Sequence, residues 1–224
     1  MTTATVRDRE IVLHIQRFRL STNEVLQRLF FPGMSLNAVR KVTARLVQAG
    51  WLLDYPLYER RKYYVLSRRA VRRLDEHRRA SESLGYQALV NAYGVLSFCA
   101  AQGVNKFTSR EFRKLFPDLW HKSLPSSSYY IDVIDNTAHL GYILVDQGAK
   151  ASKFVAKVRR VIRARYAIPS FFRLIQSGRF LIAIVTASSQ KKADIEDVLR
   201  RRARGSVRFR VEVITELMPL LLET

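Results

Sequence analysis

The sequence predicts an α+β chain in two parts, and three observations carry this. Two helix patterns flank a tight Phe30-Phe31-Pro32-Gly33 turn, a basic strand pair follows the second of them, and strand and helix patterns alternate from residue 126 onward. The order helix, turn, helix, strand, basic loop, strand is that of a winged helix-turn-helix, and alternating strands and helices build a mixed α/β domain. The parts are assigned to residues 1–82 and 83–224, divided at the small, polar stretch Ser81-Glu82-Ser83-Leu84-Gly85.

In the first part, Ile11, Val12, Ile15 and Phe18 recur at helical spacing and predict a helix over Val6 to Phe18. Ser21 and Thr22 supply the cap of a second helix with Val25, Leu26 and Leu29 on its apolar face, which Pro32 and Gly33 terminate. Ser35 caps a third helix that runs to Ala49, with Gly50 at the position after the cap, where a left-handed residue is favoured. At about 100° per residue, Leu36, Val39, Thr43, Leu46 and Val47 fall on one side and Asn37, Arg40, Lys41, Ala44 and Gln48 on the other. A hairpin is expected between Leu52/Leu53 and Tyr64/Leu66 with Asp54-Tyr55-Pro56 separating them and Arg60-Arg61-Lys62 making the tip basic. Ser67 then caps a helix from Arg68 to Arg79.

The second part opens with a strongly apolar helix, Tyr86 to Gln102, and a short one, Ser109 to Phe116, capped by Thr108 and stopped by Pro117. Strands are expected over Tyr129 to Ile134, Gly141 to Asp146, Phe180 to Thr186 and Val207 to Ile214, with helices over Ser152 to Tyr166 and Ala193 to Arg204. The uninterrupted run Phe180 to Val185 predicts a central strand buried on both faces.

Charge narrows the function. The chain has 39 Lys+Arg against 19 Asp+Glu, a formal charge of +20, and both halves are basic. Such an excess suits a polyanion, since neutralising phosphates releases condensed counterions. A membrane is the less suited polyanion here, because the charge is spread and no apolar anchor or stretch of about 18 apolar residues accompanies it. MTTATVRDRE has no apolar core of a secretory signal, so a cytoplasmic protein is expected. Cys99 is read as a small core residue, and His14, His77, His121 and His139 lack partners at metal-ligand spacing, so no metal or cofactor is expected.

The outer face of the third helix combines amide and cationic groups with little bulk, the set that reads base edges: Asn and Gln pair with adenine, Arg and Lys with guanine. The candidate DNA-contacting residues are Ser35, Asn37, Arg40, Lys41, Arg45 and Gln48 on this helix and Arg60, Arg61 and Lys62 on the hairpin, the latter placed to grip backbone phosphates. The helix holding Lys191, Lys192, Arg200, Arg201, Arg202 and Arg204 is either a solvated face or a further phosphate contact.

The winged helix, ending in Tyr63-Tyr64-Val65-Leu66-Ser67-Arg68-Arg69 and followed by an α/β half, resembles the replication-relaxation family of helix-turn-helix proteins of plasmids and integrative elements. The second half is similar to the restriction-endonuclease-like fold. The resemblance implies a double-stranded DNA-binding protein of a mobile genetic element, acting at a transfer or replication origin or as a transcriptional regulator. The partners it implies are DNA, a relaxase or replication protein, and a second copy of the chain. Nucleases of that fold hold a divalent ion with an Asp on one strand and an Asp/Glu-x-Lys on the next. Here Asp132 is the first candidate and Asp146 the second, but the lysine position is Gly148, or the acid position Leu144, unless Lys150 or Lys153 substitutes from the loop. A degenerate, non-hydrolytic domain is therefore the expectation, serving as a scaffold, for dimerisation or as a second basic DNA contact, with a nuclease using Asp132, Asp146 and Lys150 as its rival.

Overall fold

The computed structural model describes residues 5–202 and 206–222, a mixed α+β protein with two sheets and two units, Met1–Ala100 and Ala101–Thr224.

In the first unit, α1 (Val6–Phe18) starts from a capping box: the Thr5 hydroxyl accepts the Asp8 N–H and the Asp8 carboxylate accepts the Thr5 N–H at 2.9 Å. Its Ile11, Val12, Ile15 and Phe18 are all buried. β1 (Ser21–Thr22) leads through the Thr22 cap into α2 (Asn23–Phe30), and after the turn comes α3 (Leu36–Gln48), N-capped by Ser35. Gly50 takes φ +72°, the left-handed position that releases the chain into β2 (Leu52–Pro56). β3 (Lys62–Leu66) pairs antiparallel with β2, Leu52 opposite Leu66 and Asp54 opposite Tyr64, and with β1 on its other edge. Ile11, Ile15, Leu26, Val39, Leu46 and Leu66 meet in one core beneath this sheet.

Three expectations for this region change. Asp54, Tyr55 and Pro56 do not separate the strands but extend β2, and the turn is Leu57 to Arg61, with Glu59 at φ +51°. Pro56 is tolerated because β2 is an edge strand and its missing N–H breaks no interior ladder. After Ser67, α4 (Arg68–Arg73) is one short helix rather than a run to Arg79, because Asp75 turns left-handed at φ +52°; a separate 3-10 turn forms over Arg78–Ser81. The two units divide at residue 100, inside α5 (Tyr86–Gln102), rather than at 82. The first unit keeps hold of this segment: Leu84 donates its N–H to Tyr63 Oη at 3.0 Å, and Tyr93 packs edge-on to Tyr58 at 6.5 Å.

The second unit begins with α6 (Ser109–Leu115), closed by a Thr108–Glu111 capping box. β4 (Tyr129–Ile134) and β5 (Thr137–Val145) form a hairpin through Asp135 and Asn136, both at positive φ, the conformation that two-residue turns between twisted strands require. β5 thus starts four residues before the expected Gly141. α7 (Ala151–Tyr166) and α8 (Pro169–Gln176) connect β5 to β6 (Phe180–Thr186), and α9 (Ser189–Arg202) connects β6 to β7 (Arg208–Val213). α10 (Met218–Leu222) follows. The sheet order is β4-β5-β6-β7, with β5, β6 and β7 parallel, so β6 is interior and all seven of its residues are buried, as the apolar run requires. Arg204, assigned by pattern to the helix before β7, lies outside the described residues.

One sheet face, carrying Tyr129, Leu140, Tyr142, Phe180 and Ile182, packs on Phe154, Val155 and Val158 of α7, Phe171 and Ile175 of α8, and Ile195 and Leu199 of α9. Arg165 enters this core from α7 at 1% exposure. Its guanidinium lies 4.0 Å from the Tyr142 ring centre, with Tyr129, Phe171 and Phe180 around it, and it donates to Tyr129 Oη at 2.8 Å and to the Val161 carbonyl. Four aromatic faces take the place of a carboxylate partner. On the opposite face the Tyr130 ring lies over Gly141, where a Cβ would fall within the ring, so glycine is required by close approach.

Candidate nucleic-acid interface

α3 presents the two faces its periodicity predicts. Val39, Thr43 and Leu46 are buried and Leu36 and Val47 half-buried, while Asn37, Arg40, Lys41, Ala44 and Gln48 are all exposed. Ser35, also exposed, accepts the Ala38 N–H at 3.3 Å and opens the helix at the amino end of the exposed face. Arg40 donates to Asn37 Oδ1 at 3.3 Å, a loose contact between two solvated side chains that leaves both free to reorganise.

Two polar clamps fix the helix. Thr43 Oγ1 donates toward Asn23 Oδ1 at 2.9 Å and lies 3.2 Å from Tyr64 Oη, while the Asn23 amide donates to Tyr64 Oη at 3.0 Å. This buried node ties α3 to α2 and β3, and buried polar groups that are mutually satisfied specify one arrangement of the elements they join. On the other flank, Arg45 grips Asp8 with two parallel hydrogen bonds at 2.6 and 3.0 Å, joining α3 to the capping box of α1. Burial alone would raise the Asp8 carboxyl; the Arg45 and Thr5 hydrogen bonds outweigh it and hold the group below the ordinary carboxylate range. Arg45, grouped by sequence with the DNA contacts, is thus engaged on Asp8 and positions the helix. Asn23, Tyr64 and Asp8 were missed: nothing local marks them except the Thr5-x-x-Asp8 capping signature.

The connection from α2 is also braced, by Gln27 Nε2 donating to the Met34 carbonyl at 2.6 Å. Beneath it His14 bonds Ser21 Oγ at 3.1 Å and packs on Phe18 and Phe30; burial, then the Arg17 charge, pushes it down to about 4, so it is neutral at pH 7.

The hairpin tip is basic but not loose. Leu57 donates its N–H to the Arg61 carbonyl, Arg61 its own to the Tyr58 carbonyl, and Leu57 and Tyr58 are buried. Its three cations differ. Arg61 stacks over the Tyr58 ring and bonds its hydroxyl at 2.9 Å, Lys62 pairs with Asp54 at 2.6 Å across the hairpin, and Arg60 is exposed at the turn. Arg69 and Arg73 of α4 lie over the Trp51 ring.

The nuclease candidates of the second unit do not converge. Asp132 on β4 sits opposite His139 on β5, whereas Asp146 comes seven residues after His139, just past the end of β5. At about 3.3 Å per residue that is on the order of 20 Å, when ligands of one divalent ion lie within ~2.6 Å of it. Each carboxylate has its own cation: Asp132 accepts from Arg210 at 3.0 Å and from Tyr130 at 3.3 Å, and Asp146 lies 3.8 Å from Lys191. Burial raises the Asp146 carboxyl, while Lys191 and the Gly148 and Ala149 amides pull it back. Lys191 also donates to the Ala149 carbonyl, which fastens α9 to the loop after β5. Lys150 is exposed in that loop. Among the described residues no three His, Cys, Asp or Glu side chains group as metal ligands, and no helix is long and apolar enough to cross a membrane.

Comparison of the chain with protein families, with curated proteins and with solved structures found no match.

Proposed function

We propose that the first unit is a winged helix-turn-helix module that binds double-stranded DNA, with α3 in the major groove and the Arg60 turn on the adjacent phosphate backbone. The observation that carries the reading is the exposed face of α3: Asn37, Arg40, Lys41 and Gln48 surround the small Ala44 on a helix held by clamps on both flanks. Amides and cations on a preorganised helix discriminate bases at about 1–3 kcal/mol per good bidentate contact. The +20 charge supplies the sequence-independent part of the affinity.

In this reading the second unit is a restriction-endonuclease-like scaffold that does not cut DNA, since Asp132 and Asp146 are far apart and each is engaged by a cation. The likeness of Tyr63 to Arg69 and its surroundings to the replication-relaxation proteins supports a role on a mobile element, as an origin accessory factor or a regulator, beside a relaxase or replication partner or a second copy of the chain.

Selection of duplexes from a random pool by the full chain tests the reading. Enrichment of one short motif supports it, and no enrichment over several rounds refutes base readout. Incubation of supercoiled plasmid with the protein and magnesium or manganese tests the scaffold assignment. The plasmid should stay supercoiled; nicking that Asp132→Asn or Asp146→Asn abolishes would make the second unit a nuclease.

A further inference from the structure

The second unit carries a basic surface of a different kind. From Gln147 to Ala193 the chain holds 11 Lys+Arg and no Asp or Glu, and α7 lies wholly inside that stretch. Phe154, Val155 and Val158 turn one side of α7 inward, and Arg165 pins its end among aromatic rings. The other side is a stripe at i, i+3, i+4 and i+7: Ala156, Arg159, Arg160 and Arg163 line one shallow notch, and Lys153 and Lys157 continue it. All five cations are exposed.

α9 is the informative contrast. It is also rich in cations, but it contains Asp194, Glu196 and Asp197, and Arg201 bonds Asp197 and Lys192 approaches Glu196 at 3.8 Å, both at i,i+4 spacing. Lys191 is drawn to Asp146. Such pairs are what a solvated helix face contains. α7 has no acid in its own sequence with which to form them. Of the five, Lys157 feels a carboxylate, Asp146 in the loop after β5; the three arginines and Lys153 gather like charge with no acid on their own helix, and such a face repels itself unless an external polyanion completes it.

We infer that the Lys153–Arg163 face of α7 is a second DNA contact, gripping the phosphate backbone of a duplex without reading its sequence. The geometry suits a backbone. Lys153 and Arg163 are ten residues apart, about 15 Å along the helix at 1.5 Å per residue, which spans two to three successive phosphates. Ala156 in the middle leaves room for a sugar-phosphate strand to approach. Unlike α3, the stripe has no Asn or Gln, so it carries cations alone. The inference takes the polyanion to be the DNA of the proposed function.

The test is salt-dependent binding of the full chain to its selected duplex and to random duplex. Replacing Arg159, Arg160 and Arg163 by Ala should make the log–log salt slope shallower by about 2 to 3, at 0.9 per phosphate contact removed, on both duplexes, leaving the specific-to-random ratio unchanged. Lys192→Ala, Arg200→Ala and Arg201→Ala together remove the same charge from α9 and should leave the slope within about 1 of the parent. Equal changes from the two triple variants would overturn the assignment, showing net charge rather than a site. So would an unchanged slope in the α7 variant. If that variant instead lost binding to vesicles containing phosphatidylserine while DNA binding stayed intact, the face would be a lipid contact. Absence of duplex binding by the parent protein would fail the function proposed above, a result distinct from all of these.

Discussion

α3 and α7 are both amphipathic in pattern and free of acidic residues, yet only α3 opens on a side-chain cap, from Ser35, and the two are held in place by different means. α3 mixes amides with cations on its exposed side and is held from behind by polar clamps, Thr43 on Asn23 and Arg45 on Asp8. α7 shows only cations and small residues, and is held by apolar side chains and the caged Arg165. Hydrogen bonds with directional partners fix a helix in rotation and register, the demand that the proposed base reading makes; an apolar seam fixes depth, the lesser demand of the proposed phosphate contact. α9, with more acids than either, engages part of its cationic charge in its own i,i+4 pairs, Lys192 with Glu196 and Arg201 with Asp197.

The largest test breaks the α7 side. Arg165→Ala should destabilise the second unit by about 3–5 kcal/mol, through the cavity left among four rings and the loss of the donor to Tyr129. Arg165→Met keeps most of the volume and removes a buried charge that has no acid beside it, so its penalty should stay below about 1.5 kcal/mol. Denaturant melts of both variants check this, and equal losses would mean that the charge, not the packing, holds α7.

Acid should act next, and on the α3 side. The folded value of His14 lies below its ordinary 6.5, so protonation favours the unfolded chain. Its contribution is complete above pH 6.5 and is lost as pH falls to about 4, roughly 3 kcal/mol across the window. Asp8, held below the usual carboxylate range, adds a further loss as pH falls below about 4. With Trp120→Phe leaving Trp51 to report the first unit, melts at pH 7, 6 and 5 should show the decline, and His14→Gln should flatten it.

Smaller still, Thr43→Val should destabilise by about 1–2 kcal/mol, by leaving Asn23 Oδ1 without its donor, and should lower base preference more than overall affinity. Asp54→Ala should change stability by under about 0.5 kcal/mol, since the Lys62 pair is exposed, while freeing Lys62 for phosphate. Equilibrium unfolding and filter binding at two salt concentrations measure both.

The helix faces were legible because period 3.6 depends on neighbours along the chain: the inner and outer sets of α3 and the extent of α1, α5 and β6 read directly from residue type. Pairs distant in sequence were not. Arg45 looked like an outer cation because its partner lies 37 residues earlier, and the buried Asn23–Thr43–Tyr64 node joins three elements. The hairpin turn was misplaced because Pro56 reads as a breaker yet fits an edge strand. α8 has no counterpart among the expected elements, although Pro169 at its first turn and Phe171 and Ile175 at i,i+4 signal it. Placing the β4–β5 turn at Asp135-Asn136 would already have shown Asp132 and Asp146 diverging from it, three residues before and ten after.

The central claim, that α3 reads base edges, is tested most directly by the ratio of affinities for the selected and random duplexes in the variant Asn37→Ala, Lys41→Ala. Both side chains are exposed, so thermal stability should hold within about 0.5 kcal/mol. The account predicts that the ratio falls tenfold or more, from the loss of contacts worth about 1–3 kcal/mol each, while affinity for random duplex changes little beyond the single charge removed. A folded variant that keeps the parent ratio would contradict it.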